Sequence, residues 1–373
     1  MIALRRFPPV ALAAGLLAVL SIGLPVGGTL GPVAAVPVLI VAALLIAAAT
    51  GVSASFPFAS STLIILAAPH AAAVALLATL PDVAGDAGPG FWCLTVAAWV
   101  MAMHASGRLA SPAADSLMPR RAADLAVAAL FGAWILILWQ LLTIGLGVPG
   151  VILPAPSAIG AAFAGNLGML AADFQQTFIR AVLPGWAMGC GLGFAVALLV
   201  DRSPFLRHGL LPVGNFVSAL PVVGIAPIMV MWFGFDWQSK AAVVVVMTFF
   251  PMLVNTVAGL AAAGHMERDL MRSWAATPGQ AVRKLRLPAA MPFIFNALKI
   301  NSTLALIGAI VAEFFGTPIV GMGFRIKIAI GRLQLDVVWA EIAVAALAGS
   351  LFYGALVLLE RAVTFWHPSV RGS

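Results

Sequence analysis

The 373-residue chain is 62% hydrophobic and only 9% charged, where a soluble domain carries about 25% charged residues, so a soluble globular protein is excluded. The net charge of +7 does not point to nucleic acid, because the Lys and Arg residues lie between apolar runs instead of clustering on one solvated face. Cys93 and Cys190 sit inside apolar runs without CxxC or metal-ligand spacing, which argues against a disulfide framework or a thiolate metal site.

Apolar runs of about 20 residues are long enough to cross a bilayer. They predict an all-α, polytopic membrane fold of about ten helices, near 10–27, 31–50, 60–80, 90–108, 125–147, 177–200, 209–233, 241–262, 291–315 and 338–360. The basic start, Met1 to Arg6, followed by an apolar stretch, has the outline of a secretory leader. No A-x-A-like site closes it near Gly27 and hydrophobicity resumes at once, so a retained helix is the better reading. Nothing from Phe7 to Pro69 is charged, and the turn before the second helix rests on Gly, Pro and Ser alone.

The segment SPAADSLMPRRAA (111–123) is the one polar, Pro-containing break long enough to be a linker. It divides a four-helix unit, 1–110, from a six-helix core, 125–373, with 111–124 between them. Within the core, Gly185, Gly189 and Gly193 recur every fourth residue and put three hydrogens on one helix face. Close packing inside the chain is the favoured use of that face, with a homodimer seam as the other.

Fourteen of the twenty Lys and Arg, from Arg5 and Arg6 through Arg268–Arg286 to Arg371, fall on one side if the N-terminus is cytoplasmic. Arg180, Lys240, Arg325, Lys327 and Arg332 then lie outside or at the outer interface, and Lys299 in the inner half of a span. This asymmetry predicts both termini in the cytoplasm.

Between the eighth and ninth helices lies a polar island, GHMERDLMRSWAATPGQAVRKLRLPAAMP (264–292). Leu270, Met271 and Trp274 gather on one face of a short helix, with Arg268, Asp269 and Arg272 as polar cover. Thr277-Pro278-Gly279-Gln280 reads as a fresh start: Thr277 as N-cap, Pro278 where its missing N–H costs nothing, and Gln280 completing a capping box. The second helix is expected to reach about Arg286, with Leu287-Pro288 ending or kinking it.

The spacing from Asp269 through Ala275 to Leu285, Leu287 and Pro288 resembles the EAA loop of ABC-importer permeases, whose pattern is Glu-Ala-Ala, three residues, Gly, nine residues, Ile, one residue, Leu-Pro. SALPVVGIAPIMVMWFGF (218–235) and VAEFFGTPIVGMGF (311–324) are similar to segments of the nitrate, sulfonate, taurine and thiamine-precursor branch. Asp269 replaces the usual Glu, Leu270 and Met271 the two alanines, and Ala275 the Gly. The last change removes easy access to positive φ and bears on the turn.

The resemblance spans roughly 125–370 and implies a type I importer permease. Asp269, Leu270, Met271, Trp274, Ala275, Leu285, Leu287 and Pro288 would couple it to an ATPase. It further implies two ATPase copies, a second permease copy, an extracytoplasmic solute-binding protein, and a bacterial inner-membrane location. The cargo would be a sulfonate, a nitrate-like anion or a vitamin precursor, moved by alternating access.

Glu313 is an ionisable group near the end of an apolar run, costly in hydrocarbon unless paired or facing a cavity. It is expected to line the translocation path or to fix the following loop by pairing with Arg325 or Lys327, the plainer alternative being an interfacial acid that snorkels to water. Phe314, Phe315, Met322 and Phe324 are gate candidates beside it, though aromatics at helical spacing more often pack.

The five histidines show no metal-binding spacing, and no G-x-x-x-x-G-K-[ST] loop occurs. The chain is therefore expected to be no enzyme and to bind no cofactor, with ATP and Mg carried by the partner ATPase. The rival reading, an ion-coupled secondary transporter, needs intramembrane acids or polar ion sites, for which Glu313, His70 and His104 are poor material.

Overall fold

The computed structural model describes residues 9–27, 36–55, 58–218, 221–316 and 319–366. These residues are overwhelmingly helical, and their only extended pairing is an isolated antiparallel bridge of Gly27 with Ala87. The chain divides into two compact units, residues 1–160 and 161–373.

The first unit holds α1 (Pro9–Ile22), α2 (Val36–Ser55), α3 (Phe58–Thr79), α4 (Pro89–Ala110) and α5 (Arg120–Gly145). Its interior is largely alanine, including Ala14, Ala18, Ala42, Ala72, Ala98 and Ala102, with Leu76, Phe91 and Met101 filling the gaps. Lipid tails are as apolar as leucine, so small side chains that let backbones approach supply the attraction. Arg108, in the last turn of α4, pins that helix to the start of α3. Its Nε donates to Thr62 Oγ1 at 3.1 Å and its Nη2 to Ser61 Oγ at 2.7 Å, with the guanidinium 4.6 Å from the Phe58 ring centroid.

Between α4 and α5 the linker carries a 3₁₀ turn, Pro112–Ser116. The far end of α5 is stitched to the loop before α4, where Gly85 N–H donates to Ile144 O at 2.9 Å and Ala87 N–H to Gly145 O at 3.3 Å. Gly85 and Gly147 both have positive φ, 76° and 65°. A Cβ on Gly147 would lie 2.8 Å from the Gly85 Cα, so only glycine lets the two backbones meet there. Trp134 and Leu141 of α5 are buried in the alanine core. Gln140 holds the start of α6 (Pro156–Gly165), donating to Ser157 Oγ at 2.8 Å and accepting Ser157 N–H at 2.9 Å.

The second unit contains α7 (Leu167–Phe174), a π-helical stretch Gln175–Val182, α8 (Leu183–Arg202), α9 (Pro204–Ser218), α10 (Val222–Phe233) and α11 (Trp237–Ala261). It continues with α12 (His265–Ser273), α13 (Pro278–Ala281), a second π-helical stretch Val282–Arg286, α14 (Leu287–Glu313), α15 (Met322–Gly331) and α16 (Leu335–Val363). Its centre is α11, which packs on α8 and α14.

Gly185, Gly189 and Gly193 are all buried against α11, so the glycine face packs within the chain. A Cβ on Gly185 would meet Val244 Cβ at 2.7 Å, and one on Gly193 the Phe249 carbonyl at 2.5 Å. Asn301 of α14 bridges the three helices, donating from Nδ2 to Thr248 O at 2.8 Å and to Cys190 Sγ at 3.2 Å.

Among the described residues six helices are long and apolar enough to cross a membrane: 60–82, 120–145, 167–202, 237–261, 278–313 and 335–363. The segment 209–233 departs from the expected single span. It falls partly in α9 and partly in α10, with Pro221 extended (φ −67°, ψ 124°) at the N-cap of α10. The 12 residues of α10 reach only about 18 Å, short of a hydrocarbon layer of about 30 Å.

Candidate functional site

Two polar constructions stand out in the second unit, joining different ends of its long helices. The first is the loop 264–292. α12 ends in a Schellman turn, in which Ala275 N–H donates to Arg272 O at 2.9 Å and Ala276 N–H to Met271 O at 3.0 Å. Ala275 itself has φ 53°, so the left-handed turn that favours glycine is made here by alanine, against a steric cost of about 1 kcal/mol. The capping box is present: Gln280 N–H donates to Thr277 Oγ1 at 3.3 Å, and Thr277 N–H to Gln280 Oε1 at 2.8 Å.

On α12 the exposed apolar residues are Met266 (84%), Leu270 (49%) and Trp274 (72%), a stripe at i, i+4 and i+8. Asp269 is exposed and pairs with Arg272 at 3.1 Å. Met271, placed by the sequence on the same face, is half-buried and lines a cavity of 530 Å³ together with Leu285 and Arg286. Sequence reasoning missed Met266, although its spacing from Leu270 carried the signal.

Of the two outcomes expected at Leu287-Pro288, ending or kinking the helix, ending is ruled out. The helix runs on from 278 to 313, because the π-helical turns over Val282–Arg286 shift the hydrogen-bonding register just before Pro288, a proline in the first turn of α14. The same device precedes Leu183-Pro184, where π turns over Gln175–Val182 lead into α8.

Arg286, between Leu285 and Leu287, is the joint of the loop. Its Nη1 and Nη2 donate to the Asp201 carboxylate at 2.8 and 2.6 Å, and its Nε to Leu260 O at 3.0 Å. One side chain thus ties the loop to the ends of α8 and α11, a role the sequence did not disclose. At the same end, Lys299 and Glu360 pair at 2.7 Å and join α14 to α16.

The second construction surrounds Glu313, which is 2% exposed. Its carboxylate accepts Thr177 Oγ1–H at 2.8 Å and Gly323 N–H at 2.7 Å. Thr177 Oγ1 in turn accepts Met322 N–H at 2.8 Å, and Asp173 accepts Gly321 N–H at 2.6 Å and Arg325 Nε–H at 2.9 Å. The first N–H groups of a helix have no partner of their own. Here the start of α15 is satisfied by side chains of α7, the adjoining π stretch and α14, and negative charge suits that end of the helix dipole.

Glu313 therefore fixes the following loop, but through backbone N–H groups. The expected partners are engaged elsewhere, Arg325 with Asp173 and Lys327 with Phe314 O at 2.7 Å. Lys240, assigned by the sequence to the outer interface, is 1% exposed and donates to Phe235 O at 2.6 Å. Glu341 is buried next to Asp173 and Arg325.

Of the gate candidates, Met322 is fully buried against a cluster that includes Phe178 and Ala309. Phe314 packs on Ile326 and Val338, Phe324 is half-buried and Phe315 is exposed. Among the described residues no group of three or more His, Cys, Asp or Glu is arranged to hold a metal ion.

Residues 189–365 match the family model described as binding-protein-dependent transport system inner membrane component. The chain is 31% identical over 246 residues to SsuC of Bacillus subtilis, named as an aliphatic sulfonates transport permease protein, covering 65% of this chain and 88% of the relative. It is 29% identical over 245 residues to the formylaminopyrimidine transport permease protein ThiX of Halalkalibacterium halodurans, covering 64% and 94%. With the riboflavin transport system permease protein RibX of Chloroflexus aurantiacus the identity is 30% over 239 residues, covering 63% and 88%.

Proposed function

The chain belongs to the family of binding-protein-dependent transport system inner membrane components, and on that footing we propose that residues 264–292 are the handle by which a cytosolic ATPase drives it. It is a permease subunit of an ABC importer and a multi-pass inner-membrane protein. The observation that carries the coupling role is the stripe of Leu270 and Trp274, apolar yet exposed, on a helix closed at its C-terminal end by a Schellman turn and followed at once by the capped start of α13. An apolar face outside the membrane gains from being covered.

In this reading Asp269, Leu270, Met271, Trp274 and Ala275 contact or shape the ATPase contact, and Leu285, Leu287 and Pro288 pass its motion into α14. Two copies of the six-helix core, 125–373, form the path, with two ATPases on one side and a solute-binding protein on the other. Both termini are cytoplasmic. The ATPases hold ATP and Mg, and this chain performs no hydrolysis. The cargo is a small solute of the class its relatives are named for, sulfonates and heterocyclic vitamins or their precursors.

Replacing Leu270, Met271 and Trp274 together by serine is the decisive experiment. Loss of co-purification with the cognate ATPase, and of ATP-dependent uptake, is expected. A complex that still assembles and powers uptake, or a loop found on the external face, overturns the reading. Uptake that persists on ATP depletion and stops when the ion gradient is dissipated would establish the rival ion-coupled transporter.

A further inference from the structure

The 530 Å³ cavity behind α12 is markedly basic. Arg202, Arg268, Arg272 and Arg286 line it against a single acid, Asp201. That carboxylate is already engaged by both Nη atoms of Arg286, and Arg272 pairs with the exposed Asp269. Among the described residues Arg202 and Arg268 form no ion pair. Arg268 donates one Nη–H to Ala261 O at 2.6 Å, while its Nε is buried without an acceptor. A buried N–H left without an acceptor carries the cost of its desolvation, the other Nη of Arg268 makes no hydrogen bond to the described residues, and a planar guanidinium matches phosphate oxygens.

The rest of the lining, including Met271, Val282 and Leu285, is apolar. The cavity lies where α8 ends at Arg202, and Arg268 and Arg286 bond the last carbonyls of α11. Those are the ends of membrane-crossing helices, the depth of the phospholipid headgroups. Basic pockets at that depth bind anionic lipid.

We propose that this cavity is a binding site for the headgroup of an anionic phospholipid, with Arg202 and Arg268 gripping the phosphate and the apolar wall receiving the glycerol end. A zwitterionic headgroup would bring an ammonium into a cavity whose one carboxylate is already occupied, so the site discriminates by charge. The proposal does not depend on the ATPase reading, because its readout is lipid held by the permease alone.

The full chain, purified in zwitterionic lipid nanodiscs and titrated with phosphatidylglycerol, tests it by native mass spectrometry of the retained lipid. Preferential retention of phosphatidylglycerol over phosphatidylcholine is expected, with Arg202→Gln and Arg268→Gln each weakening it about five-fold. The charge-keeping Arg202→Lys and Arg268→Lys variants should retain most binding, and Arg121→Gln, in the first unit, all of it. Equal retention of the two lipids, or full retention by the double Gln variant, overturns the proposal. Displacement by excess inorganic phosphate would assign the cavity to a soluble anion, and release of lipid when the ATPase docks would assign it to an acidic side chain of that partner; either overturns the lipid as resident ligand.

Discussion

Glu313 serves two donors at once, a hydroxyl and a backbone N–H, from a site closed to water. Its neighbour Gly321 has φ 140°, and a Cβ there would fall 2.6 Å from Glu313 Oε1, so the carboxylate and the absence of a side chain are fitted to each other. Glu313→Gln keeps the shape but turns an amide toward one of the two donors. Leaving a buried donor unsatisfied costs about 1–3 kcal/mol, and a thermal shift of that size in detergent, with reduced uptake, is expected. Retained stability and full transport would show that the network is dispensable. The turn at Ala275 offers the opposite case: Ala275→Gly relieves a left-handed backbone and should stabilise the end of α12 by about 1 kcal/mol, measured as slower amide exchange over residues 270–276.

Among the helices, α8 against α11 is the tightest fit. Gly189→Ala would drive a Cβ into Thr248 Oγ1 and to within 2.9 Å of Val245 O, whereas Gly191 on the same helix has nothing within 4 Å of an added Cβ. The first substitution should destabilise by about 1–3 kcal/mol and the second by less than about 0.5 kcal/mol; similar melting temperatures for the two would refute the packing argument. The glycine face was readable in the sequence because its period is local, and so was the capping box at Thr277 and Gln280. The π turns were not, since they answer to Pro184 and Pro288 only once those helices are held in place.

Nor was the pairing of Asp173 with Arg325 readable, because it joins residues far apart in the chain whose meeting depends on how α7 and α15 pack. The sequence signalled that Glu313 needed partners without saying which. Arg286 was hidden for the same reason, its acceptors lying on α8 and α11. Asp201→Asn should uncouple the loop from those helices, lowering ATP-driven uptake while the ATPase still binds, and loss of ATPase binding would instead make the pair part of the docking surface.

At the scale of the molecule, the first unit is a folded body that holds α5 along one side, through Trp134, Leu141, Thr143 and Gly145. Deleting residues 1–110 would bare Trp134 and Leu141, now buried in the core on the side of α3 and α4, and an aggregated product on size-exclusion chromatography is expected; a monodisperse, active remainder would show that α5 does not need that packing. The four lysines of the chain are distributed so that chemistry can read which way the whole protein lies in the bilayer. Lys284 is exposed beside the Arg286 joint and Lys327 is exposed on α15 at the opposite pole, while Lys240 is enclosed and Lys299 is held by Glu360. A membrane-impermeant acylating reagent applied to right-side-out vesicles should modify Lys327 and spare Lys284, and inverted vesicles should reverse the pattern, with Lys240 silent in both.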